Sequence, residues 1–210
     1  MLFSIIIPTY NRARLISRAI ESILAQNFSD WEMIVIDDGS TDTTSDILRH
    51  YCDSEPRIQY HYTEHGGAPQ ARNFGCSLAS GKYFTFLDSD DEYLANHLSI
   101  RAELISNEPA IELIHGNTEV IGNPMIADRF DPSKLIPIDH CVIGGTFFIR
   151  RDLFHRVGGF ADIQYGDDND FYNRAKEIGA LIKKVEQPTY RYYRTEMDSL
   201  SNTISREIHA

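Results

Sequence analysis

Asp88-Ser89-Asp90-Asp91 follows Lys82-Tyr-Phe-Thr-Phe-Leu87, a short apolar-aromatic run that reads as a buried strand. Carboxylates packed this closely repel and raise each other's pKa. A divalent cation removes that repulsion, and oxygen-only ligands suit Mg²⁺ or Mn²⁺. The cargo that suits such a cation is a diphosphate. The spacing alone is weak: with 31 acidic residues among 210, about four or five acid-X-acid triplets arise by chance. Position at the C-terminal end of a strand is what gives it weight.

Four other stretches offer matching chemistry, each beside a plain structural alternative. Pro8-Thr9-Tyr10-Asn11 closes a first strand. The loop that follows offers backbone N–H groups to a nucleotide, and Tyr10 offers a face for a base; a turn with a capping Asn11 explains it equally. Asp37-Asp38-Gly39-Ser40 follows a second strand. A carboxylate there can accept the imino N–H of uracil, or simply cap a helix. Arg72 carries a guanidinium suited to phosphate or a base edge, unless it lies on a solvated helix face. Gly166-Asp167-Asp168-Asn169-Asp170-Phe171 places a carboxylate where an acceptor hydroxyl could reach it as general base. Capping and first-turn charge account for one or two of these aspartates and less fully for three.

These residues need elements to hold them. Phe3–Pro8, Trp31–Ile36, Arg57–Tyr62, Tyr83–Leu87 and Ile111–His115 read as strands. Ala13–Ala25, a stretch from Ser40 or Thr41 to Tyr51, Ala68–Leu78 and Leu94–Ile105 read as the intervening helices. Strands that are continuous apolar runs and alternate with helices predict a mainly parallel sheet covered on both faces, with ligands beyond the carboxyl ends. The pattern weakens over Asn117–Val142, where short irregular strands and a long loop are expected. Thr146–Ile149, Leu181–Val185 and Tyr190–Tyr193 read as late strands. Leu153–Val157 and Asp168–Ile178 read as helices, and Glu196–Ala210 as a mobile tail.

Composition narrows the classes. A chain of 210 residues fits a single domain, with a first part to about residue 115, a second from about 116 to 195 and a tail over 196–210. A net charge of −11 argues against nucleic acid as a partner. No apolar run is long enough to span a bilayer, and the first residues read as a strand rather than a signal peptide. The three cysteines, Cys52, Cys76 and Cys141, form neither a disulfide framework nor a metal pattern, so a cytoplasmic setting is expected, with peripheral contact at the inner membrane face left open. His61-Tyr-Thr-Glu-His65 matches a zinc-protease spacing but follows strand-like alternation and runs into Gly66-Gly67, where no helix can present both rings. No Gly-x-Gly-x-x-Gly or Walker loop is present.

As an ordered set, Ser4-Ile-Ile-Ile-Pro-Thr-Tyr-Asn11, Val35-Ile-Asp-Asp-Gly-Ser-Thr-Asp42, Gly67-Ala-Pro-Gln-Ala-Arg-Asn73, Gly81 to Asp91 and Val157-Gly-Gly-Phe160 resemble the family 2 glycosyltransferases, inverting enzymes of the GT-A fold. Gly166 to Phe171 looks like that family's Glu-Asp catalytic region with Asp167 in place of Glu, and Tyr192-Tyr-Arg194 with Ser199 resembles its closing segment. The resemblance implies an α/β, Rossmann-like, mainly parallel sheet flanked by helices, with a smaller irregular acceptor-side region. It implies that Pro8, Thr9, Tyr10 and Asp38 hold the nucleoside, with Asn11 beside them. Arg72 would serve the base or phosphate, and Asp88 and Ser89 the ribose and diphosphate. Asp90, with Asp88, would ligate Mn²⁺ or Mg²⁺, and Asp168 would be the catalytic base, with Asp170 its rival. The expected reaction is one displacement moving a sugar from a nucleoside-diphosphate donor, a UDP-sugar, to the hydroxyl of a glycan, a lipid-linked glycan or another acceptor. Oligomeric state stays open. Two other classes share parts of the pattern: a sugar-1-phosphate nucleotidyltransferase, whose glycine-rich loop after strand 1 is missing here, and a non-catalytic nucleotide- or glycan-binding module, against which the three acidic clusters argue.

Overall fold

The computed structural model describes residues 1–128, 131, 133–163 and 165–195. The proposed tail and Ser199 lie outside them. Strands β1 (Phe3–Thr9), β2 (Trp31–Asp37), β3 (Ile58–Tyr62) and β4 (Tyr83–Phe86) run parallel in the order β3-β2-β1-β4. Helices α1 (Ile16–Leu24), α2 (Thr44–Ser54) and α3 (Ala68–Leu78) connect them. Beyond β4 come β5 (Glu92–Tyr93), α4 (His97–Asn107), β6 (Leu113–Gly122), a hairpin of β7 (Met125–Ala127) and β8 (Leu135–Pro137), β9 (Phe148–Arg150), α5 (Arg151–Val157), α6 (Asp167–Glu177) and β10 (Ile182–Arg194). The second half completes an eight-stranded sheet, β3-β2-β1-β4-β9-β6-β10-β5, in which β9 and β5 are antiparallel to their neighbours.

Alternation along the strands sorts the core into two layers. Phe3, Ile5, Ile7, Met33 and Val35 face one side and pack with Ile16, Ile20, Leu48 and Leu98 of α1, α2 and α4. Ile6, Ile34, Ile36, Phe84 and Phe86 face the other and pack with Ala71, Leu153, Phe154 and Phe171 of α3, α5 and α6. Helix α3 lies so close to the sheet that a Cβ on Gly75 would fall 2.6 Å from the Ile6 side chain. Burial on both faces is why the central strands are mostly apolar, and the buried Ser4, Glu32 and Thr85 among them are hydrogen-bonded.

Several boundaries differ from the sequence reading. Helix α1 begins at Ile16, and Asn11 does not cap it. Strand β6 runs through Gly122 because β10, a partner that only the tertiary fold supplies, pairs with it as far as Gly122. The two late runs are one strand, β10, with a register shift between Val185 and Tyr190. Two-residue β5 carries no pattern to detect; it exists by pairing Glu92 and Tyr93 with Arg191 and Tyr190.

Candidate active site

The central parallel strands end at one rim, and the sheet opens there. Strand β1 pairs with β4 only as far as Ile6 opposite Phe86, while it follows β2 to Thr9 opposite Asp37. Ile6 gives its carbonyl to Leu87 on the β4 side and Thr9 gives its own to Asp38 on the β2 side. Pro8, two residues after Ile6, therefore faces the β4 side, where its missing N–H costs no ladder bond. A crevice results between β1 and β4, the point in such sheets where strand order reverses and ligands bind.

Around this crevice the loops after β1 and β2 are joined. The Asn11 backbone, at φ 52°, donates its N–H to Ser40 Oγ (2.8 Å), and its side-chain oxygen accepts from the N–H groups of Thr41 (2.8 Å) and Asp42 (3.3 Å). Asn11 is thus a tie between two loops. Thr9 is buried and its hydroxyl lacks a hydrogen-bond partner. Tyr10 is 41% exposed. Asp38 is buried and accepts the N–H groups of Gly66 and Gly67, each at 2.8 Å, which fixes the loop entering α3. His65 Nδ1 lies 2.9 Å from Asp38 Oδ2, and its ring stacks on Tyr10 with centroids 4.3 Å apart. Of the His61–His65 pair, His61 belongs to β3 and lies edge-on to Phe74, while His65 sits at the β1–β2 rim.

The acidic loop after β4 divides its labour. Asp91 is fully buried and accepts the Tyr190 hydroxyl (2.6 Å) and the Tyr193 N–H (2.7 Å), so it pins β10 to the loop. Burial, with Asp90 and Asp88 nearby, pushes its carboxyl well above the usual range. Ser89 is 7% exposed. Asp88 Oδ1 accepts from Arg72 Nη2 at 2.8 Å. Asp90 presents its carbonyl to Arg18, and its carboxyl is pushed up to about 6 by burial and then by the charge of Asp88. Arg12 and Arg18 pull it the other way. Among the described residues no three His, Cys, Asp or Glu side chains group closely enough to hold a metal unaided. A pair of crowded carboxylates does fit a Mg²⁺- or Mn²⁺-sized cation whose remaining ligands are phosphate oxygens and waters.

Across the crevice, α6 starts after Gly166 (φ 76°) with Asp167, Asp168 and Asp170 in its first turn. Asp168 accepts the N–H of Gly144 (2.9 Å) and of Asn169 (2.7 Å). That approach requires glycine: a Cβ on Gly144 would lie 2.9 Å from Asp168 Cβ. Burial, then the charge of Asp167, raises the Asp168 carboxyl to about 6, against the pull of those donors and of Arg72. Asp170 instead meets Arg174 at 2.7 Å, and Arg174 also binds the carbonyls of Val157 and Gly159. The two rivals differ in their partners: Asp170 is ion-paired within its helix, whereas Asp168 is held by backbone donors beside Gly144. Sequence reasoning missed Tyr190, which no local pattern marks.

Comparison with known proteins bears on the family and the fold. The chain is 39% identical over 160 residues to the Escherichia coli UDP-Glc:alpha-D-GlcNAc-diphosphoundecaprenol beta-1,3-glucosyltransferase WfgD, covering 73% of this chain and 62% of that protein. The S. aureus TarS fragment 1–349, solved with UDP-GlcNAc, superposes with a TM-score of 0.80 at 22% identity, over 99% of this chain and 65% of that one. The Pyrobaculum calidifontis mannosyltransferase PcManGT, solved with GDP-Man and Mn²⁺, gives 0.72 at 21% identity, over 90% and 56%. The fold is GT-A, as the resemblance implied. The chain spans about three-fifths of the length of several curated relatives that it matches. With residues 4–158 matching the profile of that family, on a GT-A sheet whose acidic strand end faces an acidic helix start, the chain belongs to glycosyl transferase family 2.

Proposed function

We propose that this chain transfers a sugar from a UDP-sugar to an acceptor hydroxyl with inversion at the anomeric carbon. Asp168 accepts the proton from the hydroxyl as its oxygen forms the new bond. The bond to the diphosphate breaks in the same step, and the nucleoside diphosphate leaves. The reading is carried by Asp168, a partly buried carboxyl raised to about 6 on the same rim as Asp88 and Asp90. Tyr10, Pro8, Thr9 and Asp38 form the nucleoside side, with Asn11 holding their loops together, and Asp88 and Ser89 lie toward the diphosphate. Asp88 and Asp90 would hold Mn²⁺ or Mg²⁺, which when bound supplies charge compensation for the leaving diphosphate.

Support for the donor comes from WfgD, named for UDP-Glc, and from TarS, solved with UDP-GlcNAc. WfgD is also named for a diphosphoundecaprenol-linked acceptor, which makes a lipid-linked glycan the first acceptor to try and fits a peripheral site at the inner membrane face. Among the described residues no helix is long and apolar enough to cross a membrane. The test is release of UDP from UDP-glucose and UDP-GlcNAc with acceptor pools, with and without Mn²⁺ or Mg²⁺. Asp168→Asn should lower transfer by ~10²–10⁴. Undiminished transfer by that variant, or UDP binding with no transfer to any acceptor, would refute the assignment.

A further inference from the structure

Arg72 was expected at the base or the phosphate, yet its fork is spent elsewhere. Nη1 lies 2.7 Å from Asp167 Oδ2 and Nη2 2.8 Å from Asp88 Oδ1, with only 11% of the side chain exposed. The neighbouring Asn73 fixes this arm. Its side chain accepts the Phe160 N–H (2.9 Å) and donates to the Phe160 carbonyl (2.8 Å), as a strand partner would. Phe160 in turn lies beneath the guanidinium, 5.8 Å from ring centroid to Arg72 Cζ. A single helix, α3, therefore grips both the strand-β4 loop and the start of α6.

We infer that Arg72 is a positioning residue for the transfer step, a strut that ties the donor-side carboxylate Asp88 to Asp167 and so holds Asp168 toward the acceptor, and that it does not itself bind the donor. This rests on the reading of Asp168 as the base. A planar fork is the side chain that satisfies two carboxylates at fixed separation; a lysine offers one point charge and cannot hold both. The charge also acts on Asp168 directly. Arg72 favours its ionised form, whereas Asp167 beside it and the burial of the site disfavour it. Cys141 and Tyr165, from the loops before Gly144 and before α6, interact with the same carboxylate. Removing Arg72 leaves Asp167 uncompensated one residue from Asp168.

Two measurements on the intact chain test this without a known acceptor. The first is ¹³C NMR titration of the aspartate carboxyls. In Arg72→Gln the Asp168 resonance should titrate at higher pH than in the wild type, and in Arg72→Lys only part of that shift should appear. The second is calorimetry with UDP at a fixed Mn²⁺ concentration, where Arg72→Lys should bind within about threefold of the wild type. An unmoved Asp168 titration, or a UDP affinity at least tenfold weaker in Arg72→Lys, would overturn the strut and make Arg72 a donor ligand. If Arg72→Gln does not fold, the Lys variant carries both readouts. Absence of UDP binding in the wild type would instead overturn the proposed function, with the Asp168 titration still readable.

Discussion

At the scale of single residues, the site is a set of carboxylates held away from their ordinary behaviour. Asp168, raised to about 6, must be ionised to accept a proton, so kcat/KM should fall as pH drops through about 6. A pH–rate profile flat down to pH 5 would contradict this. Asp90 gives the converse effect on stability. Its carboxyl, also raised to about 6, binds its proton more tightly folded than unfolded. The cost of ionising it is absent below about pH 4, grows between about 4 and 6, and is full above. Asp90→Asn should therefore stabilise the fold at pH 7.5 without added metal by about 1–3 kcal/mol, read as a higher thermal midpoint. The same variant should lose any further stabilisation by UDP with Mn²⁺, which differential scanning reads directly. His65 offers another test. Its Nδ1 already holds the Asp38 oxygen that an imino N–H would need, and its ring already covers Tyr10. His65→Ala should bind UDP more tightly, by about three- to tenfold, because the occupied seat no longer has to be emptied.

At the scale of elements, legibility in the sequence follows locality. Strand β1, helix α3 and the Asp88–Asp91 loop were readable because their own residues specify each: an apolar run buried on both faces, a helix after a glycine pair, and a polar turn behind a strand. Strand β5, the second half of β6 and the continuity of β10 were not, because partners far along the chain specify them. The capping alternative for Asn11 fails for the same reason: its side-chain oxygen accepts from Thr41 and Asp42, in the loop after β2. Asp168 was named ahead of Asp170 from the resemblance; the Asp170–Arg174 pair is legible at helical spacing, but the Gly144 N–H that holds Asp168 comes from 24 residues away. The pair Gly144-Gly145 shows how tightly elements meet. A Cβ on Gly145 would lie 2.4–2.5 Å from ring atoms of Tyr190, which is fully buried and bonded to Asp91. Gly145→Ala should cost about 1–3 kcal/mol or more, measured by denaturant unfolding. An unchanged midpoint would show that β10 yields more easily than this packing implies.

At the scale of the molecule, the site lies where two unlike halves of one sheet meet. Ligands that bind only the folded state raise its midpoint, so UDP with Mn²⁺ should stabilise the chain more than either alone. The order of the strands has a consequence for the nascent chain. Strand β4 is buried and apolar throughout, and its second neighbour, β9, lies more than sixty residues later in the sequence. A ribosome that has released only the first four strands exposes β4 as a bare, sticky margin, open to pairing with another copy. A fragment ending at Ala110 should accordingly aggregate while the whole chain does not, and synthesis would be safest where a holdase shields that margin until Phe148–Arg150 emerges.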